Sequence, residues 1–87
     1  MNADERWKLA ILELDDYTCQ RCGANTCLDA AHIQSRATDP ELRHDPTNGI
    51  TLCRSCHELF HDNPVRFRNF IAVWRETLYD TATYRLL

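Results

Sequence analysis

Leu52-Cys53-Arg54-Ser55-Cys56-His57-Glu58-Leu59-Phe60-His61 places two kinds of metal ligand in ten consecutive residues. Cys53 and Cys56 have the spacing at which one turn presents two sulfurs to one ion. His57 and His61 are at i and i+4, so on a helix their rings share a face that fits one divalent cation. His57 directly follows Cys56 and points about a quarter-turn away from it around the helix. The thiolates and the imidazoles therefore serve neighbouring faces, not one ligand set. Residues 54–61 are expected to form a short helix. Residues 50–53 read as a short strand before it, entered through the Asn48-Gly49 turn signal.

Working outward, a second pair precedes the first by 30 residues: Cys19-Gln20-Arg21-Cys22, with Gly23 just past it. Two such turns complete a tetrahedral site of four thiolates, so Cys19, Cys22, Cys53 and Cys56 are read as ligands of one structural zinc. A redox dithiol reading is the alternative, but redox pairs rarely come doubled. Disulfides are disfavoured by an odd total of five cysteines and a polar, acidic start without a secretory apolar stretch, which also points to the cytoplasm. The fifth, Cys27, is expected to be a buried thiol at a strand start. Structural zinc contributes about 10–16 kcal/mol in small fingers. Net domain stability is about 5–15 kcal/mol, so the ion is expected to decide whether the chain folds.

The flanks supply the rest of an α+β layout. With 87 residues, one domain is expected over 1–87. Residues 3–15 read as a helix from Trp7, Ala10, Ile11 and Leu14, with Asn2 or Asp4 as cap. Residues 27–33 read as a short strand, and 34–48 as a long polar loop containing Pro40 and Pro46; a loop of that length in so small a domain is usually functional. Asn63-Pro64 signals a helix start. That helix is expected to run to about residue 79, with Phe67, Phe70, Ile71, Trp74 and Leu78 on one face, packed against the first helix. No apolar run spans a membrane.

The formal charge of −3 is awkward for a nucleic-acid binder. The deficit lies in the first 16 residues, where Asp4, Glu5, Glu13, Asp15 and Asp16 oppose Arg6 and Lys8. Beyond them eight acids balance eight arginines, and Arg suits bidentate phosphate contacts better than Lys. The balance predicts weak, metal-dependent affinity for DNA.

Cys19-x-x-Cys22, Leu28-Asp-Ala-Ala-His32-Ile33, Asp45-Pro-Thr-Asn48-Gly-Ile and Leu52-Cys-Arg-Ser-Cys-His57 together resemble the zinc-containing, phage-associated HNH endonucleases. The resemblance covers residues 19–62, with the three letters on His32, Asn48 and His57. It implies a small α+β ββα-metal core with helices on either side: a hairpin carrying His32 and Asn48, packed on a helix carrying His57 and His61. It implies a metal-dependent DNA endonuclease leaving 5′-phosphate and 3′-hydroxyl ends. His32 would be the general base, since imidazole titrates near neutrality. Asn48 would orient His32 or ligate the metal through its side-chain oxygen; a plain Asn-Gly turn is the alternative. The second divalent cation, Mg2+, Mn2+, Zn2+ or Ni2+, would be held by His57 and His61. Arg36 and Arg43 resemble a phage subgroup with an arginine-bearing loop after the histidine, and are read as DNA contacts or else as solvated surface. DNA is the expected partner, with phage packaging or recombination proteins beside it and a bacterial host cell as the compartment.

One position departs from the family pattern. Many relatives carry a ligating Asp or His just before the catalytic histidine, where this chain has Ala31. Asp29 is on the same strand face, one pleat repeat (roughly 6.6 Å) away, and is a candidate replacement. Ala31 and the acidic balance leave a second reading open: a noncatalytic zinc-binding module that recognises nucleic acid or protein.

Overall fold

His32 faces Gly49 and Leu28 faces Cys53 across an antiparallel two-stranded sheet of β1 (Leu28–His32) and β2 (Gly49–Cys53). This register sends the chain from Cys53 straight into helix α2 (Arg54–His61), so the second cysteine pair straddles a strand end and the first turn of a helix. The computed structural model describes residues 1–34 and 40–86, with side chains for 1–34 and 41–76.

Alternation along β1 divides the core into two layers. Ala30 faces helix α1 (Ala3–Leu14) and packs with Trp7 and Ile11. Ala31 turns the other way, into a cluster with Ile50, Leu52, Cys19, Cys53, Cys56, Phe60 and Ile71. Phe67, Phe70 and Trp74 of helix α3 (Pro64–Leu86) pack on that second cluster. The aromatic stripe thus packs against α2 and the sheet, and the expected contact with the first helix is corrected. The hairpin lies between them, with one face for each helical layer.

Asn2 caps α1, its Oδ1 accepting from the Glu5 N–H at 2.8 Å. The helix stops at Leu14, and Asp16 and Tyr17 take left-handed φ values of 54° and 52° to reverse the chain. Asp15, just past the end, accepts from the buried Thr51 N–H at 2.8 Å and ties α1 to β2. Asn63 precedes α3 as expected, but its amide donates back to the Leu59 carbonyl at 2.9 Å, while its backbone carbonyl accepts from Phe67 N at 3.0 Å. α3 continues to Leu86, beyond the expected end near 79.

Gly49 differs from its reading as a turn residue. It begins β2, and Gly23 is the glycine with positive φ, at 81°. A Cβ on Gly49 would lie 2.5 Å from Ile11 Cδ1 and 2.8 Å from Trp7 Cζ2. The missing side chain is what lets α1 lie against the hairpin.

Candidate functional site

The Sγ atoms of Cys19, Cys22, Cys53 and Cys56 all lie within 4.8 Å of one another, with Cys22 and Cys53 at 3.6 Å. Zn–S bonds of about 2.3 Å in a tetrahedron separate sulfurs by about 3.8 Å, so the donor set fits one zinc. The local fold explains the convergence. Cys19 N–H donates to the Ala24 carbonyl and Gly23 N–H to the Cys19 carbonyl, closing the first turn. Gln20 N–H donates to the Thr51 carbonyl and docks that turn on β2. Trp74 Nε1–H reaches Gln20 Oε1 at 3.0 Å, adding α3 to the support.

Without metal the thiols differ. Burial pushes the Cys19 thiol up, but N–H donors of Cys22, Cys53 and Arg21 outweigh it and hold the pKa at about 6. Burial pushes Cys56 up to about 12, against the Arg21 guanidinium, whose Nη1 lies 3.5 Å from Cys56 Sγ. The Ala24 N–H lowers Cys22, but its sulfur neighbours Cys53 and Cys19 win and raise it. Arg21, which also lies over the Phe60 ring at 5.9 Å, places positive charge beside a cluster that would carry net −2 around a divalent ion. Cys27 is outside the cluster. Contrary to the expected buried thiol, it is exposed at φ 53°, and its carbonyl accepts from Arg54 N–H.

At the loop end of the hairpin, His32, His57 and His61 line one cleft of about 120 Å³ with Ala31, Leu52, Phe60 and Phe67. The i, i+4 spacing on α2 brings His57 and His61 to it, and β1 brings His32. Among the described residues, the four cysteines are the one group of three or more ligand side chains drawn together; the imidazoles share a cleft without a ready-made third ligand.

Two contacts fix the His32 ring. It stacks on the Trp7 indole, with centroids 4.0 Å apart and planes 9° from parallel. Its Nε2 lies 2.9 Å from the Arg43 carbonyl. A carbonyl only accepts, so Nε2 carries a proton, and in the neutral ring Nδ1 is the nitrogen with a lone pair. Trp7 Nε1–H donates to the Asp45 carbonyl at 2.8 Å, so both stacked rings bind the same stretch of loop.

Asn48 is buried behind this stretch. Its Oδ1 accepts from Gln34 N–H at 2.8 Å, and its Nδ2 donates to the Leu42 carbonyl at 3.0 Å and the Gln34 carbonyl at 3.3 Å. It thus ties the two sides of the loop together, and the Leu42 carbonyl it holds is one residue before the Arg43 carbonyl that meets His32.

Arg43 itself pairs with Asp4 at 3.1 Å, and His44 Nε2 meets the same carboxylate at 2.8 Å. The hydrogen bonds from His44 and then Arg43 hold the Asp4 carboxyl below its usual range. The pairs are half exposed and open to screening by salt, and they engage the guanidinium expected to meet DNA. Arg36 lies outside the described residues. Asp29 Oδ2 stands 3.8 Å from His57 Nδ1, while its Oδ1 is 3.6 Å from Lys8 Nζ.

Sequence reasoning missed Trp7, Asp4 and Arg21 as parts of these sites. A helix-face pattern marks Trp7 as core, and only its indole N–H, which needs a partner once buried, hints at more.

A hairpin and helix clamped by four thiolates, with imidazoles gathered on the neighbouring face of that helix, define a small zinc-site ββα unit. Residues 19–67, 49 of the 87, match the HNH endonuclease family, and the chain belongs to that family. Neither the curated proteins nor the solved structures give a match. Among the described residues no helix is long and apolar enough to cross a membrane.

Proposed function

We propose that this protein is a DNA endonuclease that hydrolyses phosphodiester bonds in the cleft between β1 and α2, with His32 as general base. The observation that carries the reading is the contact of His32 Nε2 with the Arg43 carbonyl at 2.9 Å. With Nε2–H donated to the Arg43 carbonyl and the ring held against Trp7, Nδ1 is left to take a proton from water. That water attacks phosphorus as the bond to the 3′ oxygen breaks; the 3′ oxygen takes a proton from solvent water and leaves as a hydroxyl, His32 returns its proton to solvent, and the new end is a 5′-phosphate.

His57 and His61 would hold the second divalent cation, with coordination positions left over for phosphate oxygens and water. The ion would supply stabilisation of the charge that builds on the phosphate and the leaving oxygen. Asp29 beside His57 Nδ1 suits the common pattern in which a carboxylate orients a ligating imidazole by its other nitrogen. This supports Asp29 as the residue that aims His57, more than as a stand-in for the ligand missing at Ala31. Cys19, Cys22, Cys53 and Cys56 would hold the structural zinc that fixes the base of α2.

Plasmid nicking across Mg2+, Mn2+, Zn2+ and Ni2+ tests the reading. Activity with at least one ion is expected, and His32→Ala should lower it about 10²–10⁴-fold, with zinc content unchanged and a cooperative thermal transition kept, though at a lower temperature because the stack on Trp7 is lost. Equal nicking by a folded His32→Ala protein ends the catalytic assignment. Zinc binding without nicking by any ion would favour the noncatalytic module.

A further inference from the structure

The cleft that gathers the imidazoles does not end at Phe67. The same ring forms a wall of a second groove, of about 270 Å³, with Ile33, Gln34, Arg68, Ile71 and Arg75. Ile33 follows His32 directly in the chain, so the groove begins one residue from the proposed base. At about 120 Å³ the imidazole cleft has room for little beyond a phosphate and its sugar. A longer strand must leave it along the surface.

Arg68 and Arg75 are the charged groups on this path. They are seven residues apart on α3, two turns on one face, with an axial separation of roughly 10 Å. Both are exposed, and neither has an ion pair among the described residues. The chain's other arginines are often committed: Arg43 to Asp4, Arg54 to Glu58 and Arg21 to Cys56. In a protein of net charge −3, two guanidiniums without an ion pair among the described residues stand above an apolar floor of Ile33, Phe67 and Ile71; Arg6 and Arg66 share that freedom but lie outside the groove. That combination matches a nucleic-acid backbone, whose phosphates attract guanidinium and whose sugars tolerate an apolar floor.

We infer that this groove carries the strand adjoining the scissile bond, with Arg68 and Arg75 each contacting one of its phosphates. Long side chains spaced in this way can meet two phosphates of one strand. The inference rests on the nuclease reading above and replaces Arg43 with a pair of arginines outside the long loop.

The test compares the unaltered protein, the double variant Arg68→Gln/Arg75→Gln, and Arg66→Gln, an exposed α3 arginine outside the groove. Binding to a short DNA duplex is followed by fluorescence anisotropy over a range of salt, at one fixed divalent-ion concentration and at times too short for nicking. Plasmid nicking is measured in parallel. The double variant should bind about tenfold or more weakly, and its log K against log salt slope should shrink by about 1.8, two contacts at about 0.9 each. In nicking, KM should rise with kcat little changed, and Arg66→Gln should behave as the unaltered protein. Unchanged slope and KM in the double variant overturn the groove assignment and leave the nuclease reading standing. Equal losses in Arg66→Gln also overturn it, in favour of general charge attraction. An unaltered protein that neither binds nor cuts DNA brings down both readings together.

Discussion

The two ends of one short hairpin are built to different standards. At the Leu28–Cys53 end four sulfurs lie within 4.8 Å of one another, three of them buried, with a guanidinium alongside. Beside it, on the neighbouring face of α2 and reaching to His32 at the other strand end, three imidazoles line an open cleft and no third ligand completes a set among the described residues. The first end is assembled by the chain alone. The second is held in shape and left for something else to finish. A site that maintains the fold gains from a full ligand shell, because every donor adds to stability. A site that meets substrate must keep positions open. The same β1 and β2 supply both, and α1 reinforces the open end: Trp7, Asp4 and Lys8 all reach residues beside the imidazoles.

The sharpest way to break this contrast is at the closed end. Cys53→Ser, or zinc removal by a strong chelator, should cost about 10 kcal/mol or more of apparent stability, read as loss of a cooperative thermal transition. A chelated protein that keeps its transition would show that the thiolates are not structural. Next is the brace. Trp7→Leu removes a buried aromatic ring and the stack on His32. It should cost about 3 kcal/mol and lower nicking about tenfold or more beyond what reduced folding explains. Trp7→Phe keeps an aromatic face and loses the bond to Asp45, about 1 kcal/mol, and should retain most activity. Equal activity of the two variants would remove ring positioning from the account.

Asp29→Asn probes the open end itself. It should weaken the second cation about tenfold to a hundredfold, raising the metal concentration for half-maximal nicking, while the bound zinc per chain stays at one. Gly49→Ala should destabilise by about 1–3 kcal/mol through overpacking against Ile11 and Trp7, and thermal unfolding measures it. The smallest effect concerns protons. Cys22 and Cys56, raised above the ordinary thiol value of 9.0 in the metal-free protein, are protonated at pH 7. Zinc binding should therefore release at least these two protons, and affinity should rise with pH; calorimetry in buffers of different ionisation enthalpy counts them.

Ligand chemistry with short spacings was legible in the sequence. Cys-x-x-Cys twice fixed which sulfurs meet, and i, i+4 placed His57 and His61 on one face of a helix that runs from Arg54 to His61. These are local rules, set by turn and helix geometry. The register of a hairpin closed by a long loop, the side of the sheet that each flanking helix takes, and the partners of individual polar atoms follow from packing at a distance, which no spacing encodes. So the aromatic stripe of α3 was visible while its docking surface was not. Asn48 was singled out while its hold on the Gln34 and Leu42 backbone was not. Arg43 looked free until Asp4, 39 residues away, took its guanidinium. The stack of Trp7 on His32 joins residues from opposite sides of the zinc turn, and tertiary structure alone decided it, because the two rings meet only once α1 has docked on its face of the hairpin.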